Sequence, residues 1–291
     1  MTLRPRAIAG FFFVLVAVAI IWEAAKWVAG DPWRLHATIV GIRIDYEHFP
    51  PMRWNVVSDL GLPHVWSILG VFGQPSTRVG PPVWQVLVGA SLYTLREAFV
   101  GFIAGAVLGL AIGAAFVRFH VLERAFIPYV VASQTIPLIT IAPIIVIYLG
   151  AQWTSVSVIA AYLTFFPVTV AALRGLRAAD PRAFELMRAS AASETQIFWK
   201  LRLPASVPYL FSAFRVSAAA SIVGAIIGEL PSGLPDGLGG QILQTVQYYI
   251  TGPEKLWATV AASARVGIVF VGIVVVAETV MTRGRYRATT V

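Results

Sequence analysis

Residues Phe184–Arg215 read FELMRASAASETQIFWKLRLPASVPYLFSAFR. This run is polar, helix-forming and basic, yet it lies between two long apolar stretches. It cannot span a bilayer and is too ordered for a plain connector. Asp180-Pro181 just ahead reads as a helix start, with Asp180 as N-cap and Pro181 at the first helical position. Glu185, Met187 and Arg188, followed by Ala191 to Ser193, are expected on a first short helix. The small residues from Ala189 to Ser193 permit a tight turn. Ile197, Phe198, Trp199 and Leu201 supply an apolar set on a second helix. Pro204 and Pro208 are expected to end that helix and start the next membrane span, with Leu203-Pro204 setting the bend. Such a hairpin suits a lever pressed into a groove on another protein. It equally suits an amphipathic hairpin lying on the membrane without a partner.

The rest of the chain is built for lipid. Apolar residues make up 58% of 291 and charged residues only 12%, with a mean hydropathy of +0.77. Soluble domains carry about 25% charged residues, so too little polar surface remains for water to be the solvent. The chain has no cysteine, which excludes disulfides and thiolate metal sites, and His36, His48, His64 and His120 are scattered without ligand spacing.

Six windows are long and apolar enough to cross a hydrocarbon core of about 30 Å. They are Ile8 to Val28, a stretch within Trp84 to Val117, Ala125 to Leu149, Thr154 to Ala172, Pro208 to Leu230 and Leu256 to Met281. The second exceeds the required length, which leaves Trp84 to Tyr93 to lie along the interface. The first is too long for a signal-peptide core and continues into Glu23 and Lys26, so it reads as a retained helix. Lys and Arg fall in alternate loops: Arg4 and Arg6; Arg118 and Arg124; Arg174 to Arg202; Arg283, Arg285 and Arg287. By the positive-inside rule both termini are cytoplasmic. The net charge of +8 is thereby topological, and nucleic acid is not an expected partner. The segment 30–82 is an extracytoplasmic loop rich in Pro, Gly and Trp, with one surface helix expected near Asp59 to Leu69. It reads either as a cap on the helix ends or as a docking surface.

Ionisable and polar residues inside the spans call for an account. Arg215, Glu229 and Glu278 lie near helix ends, where snorkelling or inter-helix pairing explains them. Arg96 and Arg265 either pair with acids or face a cavity, which makes them candidates for a solute pathway. Ser133, Gln134 and Thr135 precede Pro137 near mid-span, so a helix break is expected there. Freed backbone groups at such a break can line a transport site. Alternatively the hydroxyls bond their own backbone in a structural kink.

The hairpin resembles the EAA loop of bacterial ABC importer permeases, whose pattern is Glu-Ala-Ala, three residues, Gly, nine residues, Ile-x-Leu-Pro. This chain has Glu185-Leu186-Met187, three residues, Ala191, nine residues, Leu201-Arg202-Leu203-Pro204. Ala191 stands in place of glycine, which leaves the turn open to remodelling. Further segments are similar to nitrate/sulfonate/taurine-type permeases: Ser91-Leu92 through Arg96, Gly101-Phe102-x-x-Gly105, Gln134-Thr-Ile-Pro137, Ala142-Pro143, Phe165-Phe166-Pro167, Gly175-Leu176-Arg177, and Gly228-Glu229 with Gly237-Leu238-Gly239. The run from Gly228 to Gly239 also looks like permeases of pyrimidine or thiamine-precursor uptake.

The resemblance implies an all-α polytopic membrane protein of six transmembrane helices, like the type I ABC importer permeases, in the bacterial cytoplasmic membrane. A first transmembrane helix (1–29) and the loop 30–82 would precede a five-helix permease core (83–291) that carries the coupling hairpin (176–205). It further implies two ATP-binding cassette subunits, a second permease (identical or a paralogue) and an extracytoplasmic solute-binding protein. Glu185, Arg188, Ala191, Leu203 and Pro204 would couple to the ATPase. The chain has no G-x-x-x-x-G-K-[ST] loop, so ATP and Mg belong to the partner subunit, and neither enzyme activity nor a cofactor is expected here. The rival reading is a secondary transporter or channel working without ATP; it predicts an internal repeat, and none is evident.

Overall fold

In a computed structural model, residues 5–39 and 42–282 are described. Arg4, Arg283, Arg285 and Arg287, which entered the topology argument, lie outside them. Among the described residues five helices are long and apolar enough to cross a membrane, or six if the pair His120–Ser133 and Leu138–Leu149, bent by 99°, counts as one span. The described residues divide into two compact units, one up to Leu87 together with 242–261, the other 88–241 together with the described residues from Ala262 on.

In the first unit, α1 (Pro5–Ala29) leads into an antiparallel hairpin, β1 (Trp33–Ile39) and β2 (Ile42–His48), and then α2 (Val65–Val71). The hairpin was not expected in a helical protein. The surface helix was expected, although α2 begins four residues after Gly61 and is short. Two charged residues of α1 hold the segment between. Lys26, fully buried, donates to Asp59 Oδ1 and to the Leu62 carbonyl, both at 2.6 Å. Glu23 accepts from the Val65 amide at 2.7 Å and meets His64 Nδ1 at 2.8 Å, so a carboxylate sits at the start of α2. The Trp22 indole donates to the Pro63 carbonyl at 2.9 Å and packs edge-on against Trp257. Lys26 and Glu23 thus fasten the first loop.

The second unit holds α3 (Val83–Arg118) from Val88 on, α4 (His120–Ser133), α5 (Leu138–Leu149), α6 (Trp153–Arg177), α7 (Pro181–Ala189), α8 (Glu194–Ile197), α9 (Leu203–Ser232), the start of α10 (Leu238–Gln247) and α11 (Pro253–Thr282) from Ala262. α3 is one unbroken helix of 36 residues, about 54 Å long. The expected interfacial stretch at Trp84 to Tyr93 therefore forms its first turns. Gly101, Gly105, Gly109 and Gly113 recur every fourth residue on α3, and a Cβ at any of them would come within 3.0 Å of α6. Hydrophobicity does not drive helices together in lipid, so close backbone approach through small residues takes that role. Between α6 and α9, Val168 and Ala172 pack with Leu210 and Ala213, and Gly175 faces Ser206.

Candidate functional site

Asp180 caps α7 as expected, accepting from the Arg182 amide at 2.9 Å. α7 ends at Ala189, so Ala191 to Ser193 belong to the turn and not to the helix. The Ala191 amide donates to the Arg188 carbonyl and the Ala192 amide to the Met187 carbonyl, both at 3.0 Å. These are the paired bonds of a Schellman ending, and Ala191 holds its left-handed position at φ 54°. The turn is not remodelled by the alanine. It keeps the geometry glycine would adopt and bears the strain. Ser193 and Gln196 then form a capping box at the start of α8.

The second limb does not end at proline. α8 passes through a π-helical turn, Phe198–Arg202, directly into α9, giving one helical run from Glu194 to Ser232. Pro204 has no N–H to continue the α-helical ladder, and the wider turn ahead of it absorbs the mismatch. Phe184 ties the limbs together, with the Arg188 and Arg202 guanidinium carbons 4.6 and 5.2 Å from its ring centroid. Arg188 also reaches Glu194 at 3.9 Å, and not Glu185 one turn away. Glu185 is exposed and has no ion-pair partner among the described residues. Leu186 beside it and Trp199 on the second limb are also uncovered, 69% and 62% exposed. At the foot of the hairpin, Arg177 donates through both terminal nitrogens to Glu123 on α4, which ties the end of α6 to the start of α4.

The expected break is present. α4 and α5 meet at 99° across Gln134 to Pro137. Ser133 Oγ donates to the Val130 carbonyl and Thr135 Oγ1 to the Ala132 carbonyl, each at 2.7 Å, so these hydroxyls serve their own backbone. Tyr162 on α6, which sequence reasoning missed, donates its hydroxyl to the Ser133 carbonyl freed by the break. Gln134 is exposed, and its side-chain amide has no partner among the described residues. Arg96 lies over the Trp153 ring at 4.4 Å. Arg265 is exposed on α11, without an ion pair among the described residues. Neither arginine is brought to the break. Arg215 meets Glu278 at 3.5 Å, the inter-helix pairing expected of both.

Glu229 is fully buried and accepts from Thr94 Oγ1 at 2.6 Å and from the Gly239 amide at 2.5 Å, while the Leu238 amide donates to Thr94 Oγ1 at 2.9 Å. A Cβ at Gly237 would collide with the Glu229 carboxylate. The Gly237-Leu238-Gly239 run thereby gains a physical reason: it lets the backbone close over a buried acid. Glu97 on α3, also fully buried, was not among the intramembrane residues singled out from sequence. Its spacing of three from Thr94 was the available signal.

A bundle of apolar helices with a broken span and a capped polar hairpin is the architecture of a membrane transport subunit. Residues 101–283 match the family of binding-protein-dependent transport system inner membrane components, and the chain belongs to that family: it is a multi-pass ABC transporter permease. Among its relatives is the formylaminopyrimidine transport permease protein ThiX of Halalkalibacterium halodurans, 34% identical over 60% of this chain and 74% of the relative. The riboflavin transport system permease protein RibX of Chloroflexus aurantiacus is 31% identical over 63% and 75%, respectively. The putative aliphatic sulfonates transport permease protein SsuC of Bacillus subtilis is 29% identical over 74% and 83%.

Proposed function

We propose that this chain forms, with a second permease, the pathway of an ATP-driven importer of a small solute, and that its 180–204 hairpin receives the stroke of a separate ATPase. The observation that carries this reading is mechanical. The exposed first limb, at Glu185 and Leu186, is joined through a strained but hydrogen-bonded turn to a second limb that carries exposed Trp199 and is continuous with the membrane helix α9. A push on the tip therefore travels along one rigid element, and α9 is packed against α6 through the small residues Gly175 and Ser206. ATP and Mg act in the two partner ATPases. A solute-binding protein delivers cargo outside, and both termini of this chain lie in the cytoplasm of a bacterial inner membrane.

The Gln134 amide and the Arg265 guanidinium line the pathway. An unpaired amide facing hydrocarbon would cost several kcal/mol, so Gln134 faces water or a neighbouring subunit. Ser133 and Thr135 hold the local structure around it, whereas Arg96 packs on Trp153. The test is Glu185→Lys. Uptake should be lost and ATPase association weakened, with normal insertion of the permease. Normal uptake together with normal complex yield would refute the coupling role.

A further inference from the structure

Glu97 and Thr94 stand three residues apart on α3, on one face of the helix. Thr94 already binds Glu229, so the next turn brings Glu97 to the same carboxyl, within hydrogen-bonding reach. Both acids are fully buried. Glu229 is well supplied, by Thr94 and by the Gly239 amide. Glu97 is not: neither of its carboxyl oxygens has a donor among the described residues. The other charged and titratable groups facing the pair are Arg96, Asp236 and Tyr93. The Arg96 guanidinium lies over Trp153, Asp236 adds negative charge, and Tyr93 brings no positive charge. Among the described residues no cationic side chain forms an ion pair or hydrogen bond with Glu97.

An ionised carboxylate can only accept hydrogen bonds, whereas a protonated carboxyl donates one. Two ionised acids in contact, buried and with no cation bonded to either, would repel each other. A single proton between them removes the repulsion and gives Glu97 its missing partner. We propose that Glu97 and Glu229 form a proton-binding site, in which a protonated Glu97 donates to an ionised Glu229. The bound proton clasps the start of α10 to α3 and α9: with it in place, Glu229 is free to accept from Thr94 and Gly239. Losing it sets two negative charges side by side and opens the clasp.

The test uses the full-length protein in detergent or lipid. The infrared difference between wild type and Glu97→Gln should contain the C=O stretch of one protonated buried carboxyl, lost in the variant. Glu97→Gln should assemble and melt with the wild type, because the glutamine amide donates in place of the proton. Glu97→Met, which has no donor, and Glu229→Gln, which turns an acceptor edge into a donor, should both melt earlier. Melting of the wild type should be the same in sodium chloride and in the chloride of a bulky organic cation. Absence of the carboxyl band overturns the proposal, and so does failure of Glu97→Gln to assemble. A sodium-specific rise in melting temperature would place a metal cation, in place of the proton, between the two acids.

Discussion

Ala191→Gly should stabilise the hairpin, although glycine usually weakens local structure. The left-handed conformation costs an L-residue about 1–2 kcal/mol, and Ala191 adopts it at φ 54°. Glycine carries no such cost, but its greater freedom in the open state returns about 0.4–1 kcal/mol. The exposed methyl of Ala191 adds little packing that could be lost. The net gain is therefore roughly 0.5–1 kcal/mol, or about two- to five-fold in the opening equilibrium of the turn. Hydrogen exchange of the Ala191 and Ala192 amides, which donate to Arg188 and Met187, reads that equilibrium directly. Exchange should slow by that factor in Ala191→Gly. In Ala191→Val it should accelerate, since a β-branched residue tolerates positive φ still less. Faster exchange in the glycine variant would mean that residue 191 is not left-handed in the working protein, and the account of the turn would fail.

Three further outcomes are expected. Gly105→Ala should sharply lower the yield of folded permease, because its Cβ would meet Ala161 and Thr164 within 3.0 Å; overpacking of this kind costs about 1–3 kcal/mol. Gly89→Ala on the same helix, with nothing within 4 Å, should be tolerated, and equal behaviour of the two would refute the close-approach argument. Gln134→Leu should impair uptake or uncouple it from ATP hydrolysis at near-normal complex yield; poor assembly with normal transport per complex would make Gln134 structural. A cysteine at Asp236 should react with an impermeant thiol reagent added outside intact cells and one at Thr195 should not, against a native background free of cysteine; the reverse pattern would invert the topology.

The membrane spans were legible because length and apolarity fix them almost alone. α6, α9 and α11 lie within a few residues of windows read without any structure, and the break at Pro137 followed from one proline and three polar neighbours. The β1–β2 hairpin was missed although its signal is present: Trp33, Leu35, Ala37 and Ile39 alternate with Arg34, His36 and Thr38. A strongly helical composition masked a short period-two run. The end of the hairpin's second limb was misjudged because proline is read as a stop, whereas a π turn ahead of Pro204 lets the helix continue. The acid pair was beyond sequence reasoning for another reason. Glu97 and Glu229 are 132 residues apart, and only tertiary packing makes the two acids neighbours.

The glycine face of α3 has a kinetic meaning as well as a steric one. A seam of backbone against backbone and alanine offers almost no side-chain rotamers to exchange, so it has few alternative packings to visit. Elements joined in this way turn together or not at all. Any motion between conformations must then be taken up where the contacts are adjustable, as at the kink between α4 and α5. Stiffness in one helix pair thus dictates where the rest of the chain has to be compliant.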